Sequence, residues 1–326
     1  MIATGSKPRH LPIAGAEHMV TSDDVLSERK QPRDVVFVGG GVIAMEFAHV
    51  YARAGTKVTI LETLPRLLSA LDAEAVAEVR KETERLGIAI HTSVKVARIE
   101  SQGSRLRITF EHEGREQAIE AERVVNGAGR VADVDGPDLE TANVRVEKGR
   151  VMVDETLRSV SNPAVHVAGD ALWSSPQLSP IANYEGGIVG RNIVEGPKHK
   201  PEYSSIPSCV FTIPALASLG MTEEEARESG KRIKVQKNDM LNWLSARTYA
   251  ETAAWSKIII DEPTGQILGA HFVGHAGEEL IHLFALAMKH RIPAMRARRH
   301  GLRLPDLLSR HQEHVLNRWI ASIDSA

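Results

Sequence analysis

Apolar residues first gather into an unbroken run at Val35, Val36, Phe37 and Val38, with charged Arg33 and Asp34 before it and glycines after it. A short all-apolar run predicts a strand buried on both faces, as in a parallel sheet. After the glycines the pattern changes to a helical one. A second strand is predicted at Lys57–Leu61, ending in Glu62. Val76, Val79 and Leu86 then share one helical face, with Asp72 placed to cap the start and Gly87 to close the end. Strands follow at 88–91 and 94–99. Leu106, Ile108 and Phe110 alternate with polar residues up to Glu113-Gly114, which predicts an antiparallel hairpin. Further strands are expected at 122–126, 151–153 and 164–168, and 197–203 reads as a linker. From Ser208 the pattern turns mainly antiparallel. Cys209 opens a strand, Thr222 starts a capped helix, a hairpin turns at Gly265, and a helix covers 278–289.

The first turn carries chemistry. Gly39, Gly41 and Ala44 have G-x-G-x-x-A spacing between a strand and a helix. Gly39 allows the tight turn, Gly41 lets the backbone approach a pyrophosphate, and Ala44 lets the helix pack close to the strand. The helix N-terminus turns free N–H groups toward the anion. Glu62 stands 21 positions after Gly41, where a carboxylate accepts hydrogen bonds from the ribose 2′-hydroxyl of NAD. A glycine turn alone also occurs in other α/β proteins; strand before, helix after and acid in place favour a dinucleotide site. NAD(H) is expected over NADP(H), because Glu62 would repel a 2′-phosphate, although Arg66 works against that discrimination.

Length and composition narrow the class. The 326 residues suggest about two domains. A hydrophobic share of 42% is enough for packed cores. A net charge of −2 gives no sign of a nucleic-acid surface. No apolar run reaches the roughly 18 residues of a membrane span, and the opening MIATGSKPRH lacks the order of a signal peptide. The single cysteine, Cys209, forms neither an internal disulfide nor a cysteine metal cluster, so a cytoplasmic protein without a metal is expected.

Six motifs in order carry a family resemblance: ATGS at 3–6, GGGVIAMEFA at 39–48, GAGR at 127–130, HVAGDA at 166–171, QLSPIANYEG at 177–186 and VFTIPALASLGMTEEEA at 210–226. Together they resemble the pyridine nucleotide–disulfide oxidoreductases, which include glutathione reductase, dihydrolipoamide dehydrogenase and mercuric reductase. The resemblance spans about 1–292. It implies an α/β fold with a Rossmann-like NAD-binding domain inserted in a partial FAD-binding domain, followed by an α+β dimerisation domain. The implied boundaries are 1–32 for a remnant of the FAD-binding domain, 33–129 for the NAD(P)-binding domain, 130–200 for a central FAD-binding segment and 201–326 for the dimerisation domain.

The resemblance also implies site residues. Thr4 and Gly5 match a turn near the FAD. Gly169 and Asp170 match a Gly-Asp pair whose carboxylate hydrogen-bonds the flavin ribityl chain; without its neighbours Asp170 reads as a helix N-cap. Leu178, Ser179 and Pro180 match the stretch beside the isoalloxazine ring. Glu46 matches a buried glutamate that pairs with a lysine near the flavin. Gly129 and Arg130 match a turn close to both nucleotides, with a surface ion pair as the plainer reading of Arg130.

Two departures temper the resemblance. The family's FAD phosphate motif and C-x-x-x-x-C pair, expected before ATGS, are not in this chain, so an incomplete FAD site and no redox cysteine pair are expected. At 298–315 the Arg/His-rich run matches nothing in the family. Read one nucleotide later, its opening would spell Asp-Thr-Val-Tyr-Ala-Tyr-Pro-Thr-Phe, the family's C-terminal signature region. The alternative is a basic partner-binding helix. Tyrosine stands there in place of the family's histidine base, so no catalytic residue is assigned. The expected function is that of an FAD-dependent NAD(P)H oxidoreductase passing hydride to flavin and on to a disulfide or other acceptor. The alternative is a truncated, catalytically inactive nucleotide-binding fragment. The family's homodimer is expected to be impaired by the basic tail.

Overall fold

The computed structural model describes residues 1–294, which divide into two compact units: Met1–Leu11 with Ala128–Tyr203, and Pro12–Gly127 with Ser204 onward. In chain order the elements begin with β1 (Ser6–Pro8), α1 (Ser22–Leu26), β2 (Asp34–Val38), α2 (Val42–Arg53), β3 (Lys57–Leu61) and α3 (Ala73–Arg85). They continue with β4 (Ala89–His91), β5 (Lys95–Gln102), β6 (Arg105–His112), β7 (Arg115–Ala121), β8 (Arg123–Asn126) and β9 (Arg130–Ala132). Next come β10 (Val146–Glu147), β11 (Arg150–Val151), α4 (Ser179–Glu195), β12 (Ser208–Val210), β13 (Leu216–Gly220), α5 (Glu223–Glu228) and β14 (Ile233–Asp239). The last are α6 (Leu244–Thr248), β15 (Trp255–Asp261), β16 (Ile267–Val273) and α7 (Gly277–Lys289). The expected irregularity at 298–315 lies outside the described residues.

The larger unit contains a parallel sheet in the order β4-β3-β2-β8. Its register sets Val38 level with Leu61 and with Asn126. The turns after β2, β3 and β8 therefore leave the sheet at one edge, the carboxyl end where such sheets take ligands. Every residue from Val35 to Val38 is buried, as the all-apolar run predicts. Full burial of Phe37 and Ile60 stabilises the sheet by about 1.5–3 kcal/mol each. Helix α3 starts at Asp72, whose side chain accepts from Glu74 N–H and Ala75 N–H, and it buries Ala75, Val76 and Val79.

The same unit holds a five-stranded antiparallel sheet, β12-β13-β16-β15-β14. Ala217, Leu219, Ile258 and Phe272 on its strands pack with Ile281 and Phe284 of α7. The Phe272 and Phe284 rings lie 5.1 Å apart. Thr222 and Glu225 form a capping box at the start of α5.

Several expectations need correction. The hairpin turning at Glu113-Gly114 is β6-β7, and β5 joins it to make a three-stranded meander. Its third strand is mostly exposed, so it carries no apolar alternation that would betray it. Residues 164–168 are not a strand, and Ala164 lies in a turn. Val167 bridges Ile2 and His166 bridges Arg158, single pairings that build no ladder. The strand at 151–153 is only the two-residue β11. The supposed linker at 197–203 is tied back to α4. The Asn192 side chain binds the backbone of Lys198 and His199, and the Tyr203 hydroxyl donates to Glu185. Among the described residues no helix is long and apolar enough to cross a membrane.

Candidate functional site

Gly39 adopts φ of +107°, which turns the chain sharply out of β2. Gly41 then caps α2, and no side chain caps that helix end. The first turn of α2 thus leaves its N–H groups for another acceptor. Glu62, at the end of β3, accepts the Gly40 N–H at 2.5 Å and the Leu64 N–H at 2.7 Å. Its carboxylate is therefore held against the glycine turn rather than swinging in solvent.

Two close approaches define this turn. A Cβ on Gly40 would lie 2.3 Å from Leu67 Cδ2 and 3.0 Å from the Glu62 carboxylate. A Cβ on Gly127 would lie 2.8 Å from Ala44 Cβ. Ala44 is fully buried, and its neighbour is the turn after β8. Sequence reasoning overlooked Gly40 and Gly127. Both lie in quoted motifs, but nothing in their spacing reveals a contact across the sheet edge.

Glu46 lies on α2 but does not join the glycine turn. Its carboxylate accepts the Phe211 N–H at 2.8 Å, in place of the lysine expected from the resemblance. Burial pushes this carboxyl above its ordinary value, against the pull of that hydrogen bond. Cys209, in β12, is half-buried. Burial, with the Glu278 and Glu46 charges, pushes its thiol up to about 12.

In the smaller unit, β1 pairs antiparallel with β9, setting Ser6 opposite Ala132 and Pro8 opposite Arg130. The Arg130 Nε donates to Ser6 Oγ at 2.8 Å and its Nη2 to the Ser6 carbonyl at 2.6 Å. Ser6 Oγ in turn donates to Asp170 Oδ2 at 3.0 Å. Arg130 and Asp170, far apart in sequence, are thus joined by one hydroxyl. Asp170 sits within a 3-10 turn, Gly169–Ala171, rather than capping an α-helix. Gly169 packs on Ala182 of α4, and its N–H donates to Glu185 at 2.7 Å. Glu185 is fully buried and also accepts the Tyr203 hydroxyl; burial and that carboxylate push the Tyr203 phenol up.

Leu178 is the N-cap of α4 and Ser179 its first residue, exposed, with Pro180 next. Gly5 receives the Asp133 N–H on its carbonyl, Gly129 receives the Arg9 N–H, and Thr4 is exposed. Ser6 and Glu185 lie in quoted motifs but were not singled out, because a serine or glutamate there has no sequence signal apart from its partners.

Among the described residues no group of three or more His, Cys, Asp or Glu could hold a metal ion.

Comparison with known proteins places the chain among relatives. A family model described as pyridine nucleotide-disulphide oxidoreductase matches residues 1–186. The dimerisation domain of the same family matches 206–306. Dihydrolipoyl dehydrogenase of Chlorobaculum tepidum is 31% identical over 297 residues, covering 90% of this chain and 63% of its own length. Mercuric reductase of Staphylococcus aureus is 31% identical over 292 residues, covering 89% and 53%. Among solved structures, the HOCl-induced flavoprotein disulfide reductase RclA from Escherichia coli superposes with a TM-score of 0.85 at 26% identity. That match covers 98% of this chain and 72% of the other. The chain spans 53–63% of the length of these two curated relatives.

Proposed function

The chain belongs to the pyridine nucleotide-disulphide oxidoreductase family, and from that membership we propose that it serves an FAD-dependent NAD(P)H oxidoreductase. The observation that carries this reading is the glycine turn with its uncapped helix α2 and the Glu62 carboxylate fixed beside it. An uncapped helix N-terminus fits a pyrophosphate, and a carboxylate at the end of the next strand fits a ribose diol. In the smaller unit, Asp170 is an acceptor oriented by Ser6 and Arg130, which fits a polyol such as the flavin ribityl chain. When bound, NADH and FAD would supply hydride transfer from nicotinamide to flavin.

The chain's own residues bind and orient. Gly39, Gly41 and the first turn of α2 receive the dinucleotide phosphates, and Ala44 holds the helix close to the sheet edge. Glu62 selects NADH by accepting from the ribose and repelling a 2′-phosphate. Thr4, Gly5, Gly129, Gly169, Leu178 and Ser179 shape the backbone around the flavin, and Glu185 fixes Gly169 from below. From a bound flavin, electrons would pass on to a disulfide or another acceptor. A second copy of the chain is the expected partner through the dimerisation domain, with association weakened by the basic residues Arg296, Arg298, Arg299 and Arg303.

One observation favours a second reading, nucleotide binding without disulfide reduction. Cys209 is the chain's single cysteine, and its thiol, pushed up to about 12, stays protonated at neutral pH.

Absorbance of the purified chain and NADH titration test the proposal. Bound flavin that bleaches on adding NADH supports oxidoreduction, and Asp170→Asn should then lower flavin content. NADH binding without bleaching favours the second reading. No binding of either nucleotide defeats both.

A further inference from the structure

The polar face of the five-stranded sheet carries a continuous row of side chains. Register places Ser218 opposite His271, His271 opposite Lys257, and Lys257 opposite Lys237. Lys257 is only 2% exposed. Its ammonium lies 2.9 Å from both Asp72 oxygens, 2.8 Å from Glu74 Oε2 and 3.0 Å from Glu223 Oε2. Lys237 reaches Glu74 at 2.8 Å and Glu223 at 3.3 Å. Arg227 adds a third cation on Glu223. Three carboxylates thus meet three cations, and the buried charges are compensated.

His271 completes the row, its imidazole pushed below the ordinary value by burial. Ser218 Oγ lies 2.7 Å from its Nδ1, and its Nε2 lies 3.0 Å from the Met221 carbonyl. The carbonyl can only accept, so Nε2 carries the proton and Nδ1 accepts from Ser218.

One segment links this network to the glycine turn. Asp72 is the N-cap of α3, and the segment before it, 63–71, leads back to Glu62. Within that segment Leu67 is 1% exposed and sits where a Gly40 Cβ would be, and Leu68 N–H donates to the Gly40 carbonyl. Leu68 itself holds φ of +46°, an uncommon conformation for a non-glycine residue that the surroundings must maintain. One end of the segment is fixed by β3. The other is fixed by Asp72, and hence by Lys257 from the opposite sheet.

We propose that Lys257 is a positioning residue for dinucleotide binding: by clamping Asp72 it sets the 63–71 segment, which presses Leu67 onto the glycine turn beside Glu62. The proposal deepens the nucleotide reading above and rests on it. It makes β15, a strand of the dimerisation domain, part of what shapes the nucleotide site.

NADH titration of the wild type, Lys257→Met, Lys257→Arg and Phe284→Leu tests this, with each variant's thermal midpoint measured in parallel. Lys257→Met should raise the NADH Kd about tenfold, within the usual range of coupling between sites. Lys257→Arg, which keeps the charge, should recover most of the affinity. Phe284→Leu, in the α7 core away from the network, should lower the midpoint and leave Kd unchanged. Should Lys257→Met not fold, Asp72→Asn keeps a capping side chain, removes the charge, and should raise Kd in the same direction. Unchanged Kd in the Lys257 and Asp72 variants overturns the proposal while leaving the nucleotide site intact. An equal rise in Phe284→Leu also overturns it, since general loosening would then suffice. A wild type that does not bind NADH overturns the nucleotide reading, and the proposal with it.

Discussion

Lys257 and Asp72, 185 residues apart in sequence, meet in a buried ion pair whose two side chains are each 2% exposed. Removing one member of such a pair leaves the other buried and uncompensated, a loss of about 3–5 kcal/mol. Lys257→Ala should therefore lower unfolding stability by that order, measured by urea titration. Asp72→Asn should cost less, because Glu74 and Glu223 remain on Lys257 and asparagine still caps α3. A larger loss for Asp72→Asn than for Lys257→Ala would contradict this ranking.

The same network makes stability depend on acid. At Glu223 burial raises the carboxyl, but Arg227 and Lys257 outweigh it and hold it at about 2, against an ordinary value near 4.5. At Asp72 burial is likewise outweighed, chiefly by Lys257. A depressed carboxyl contributes stability that is complete above its unfolded value and lost as pH falls through its folded value. Stability should thus drop steeply between about pH 4.5 and 2. Lys257→Met should show a shallower drop over that window. Parallel urea midpoints for the two proteins from pH 5 down would count against this account.

Glu62 is expected to set nucleotide choice. Glu62→Gln should weaken NADH by about 1–3 kcal/mol, the scale of a hydrogen bond to a charged group, and should narrow the gap to NADPH. Fluorescence titration with both nucleotides measures the ratio. Tighter NADPH than NADH binding in the wild type would remove the role given to this carboxylate.

Ala44 and Gly127 form a second testable pair. Gly127→Ala places a Cβ 2.8 Å from Ala44 Cβ, an overpacking that should cost about 1–3 kcal/mol. Adding Ala44→Gly relieves the contact, so the double variant should recover part of the loss in a double-mutant cycle. Strict additivity of the two losses would show that the contact is not the cause.

Cys209 should behave as a packed apolar group. With its thiol pushed up to about 12, alkylation by iodoacetamide at pH 8 should be slow in the native protein and fast in urea. Rapid native labelling with a midpoint near the ordinary thiol value would refute this.

The parallel-sheet half of the larger unit was legible because its signals are local. Val35 to Val38, the glycine spacing, Glu62 and the Asp72 cap each announce themselves within a few residues, and each is where the pattern puts it. What escaped depends on pairing across long separations. Residues 164–168 look like a strand by composition but meet only single-residue bridges. Lys257 reads as one lysine before the apolar run Ile258–Ile260, and only register against His271 and Lys237 shows its place on the polar face. The Ser6 hydroxyl between Arg130 and Asp170 is invisible for the same reason.

The discontinuous larger unit also constrains how the chain is made. Synthesis at about 5–20 residues per second separates the emergence of Asp72 from that of Lys257 by roughly 9 to 37 seconds. During that interval the nascent parallel sheet carries Asp72 and Glu74 at the start of α3 with their lysine not yet translated. Until then those carboxylates lack the ammonium that compensates them in the finished fold. The arrival of β15 then exchanges water for an ammonium group. Completion of the second sheet would then supply Asp72 with its buried cation, and a ribosome stalled before β15 would hold the parallel sheet without that ammonium partner.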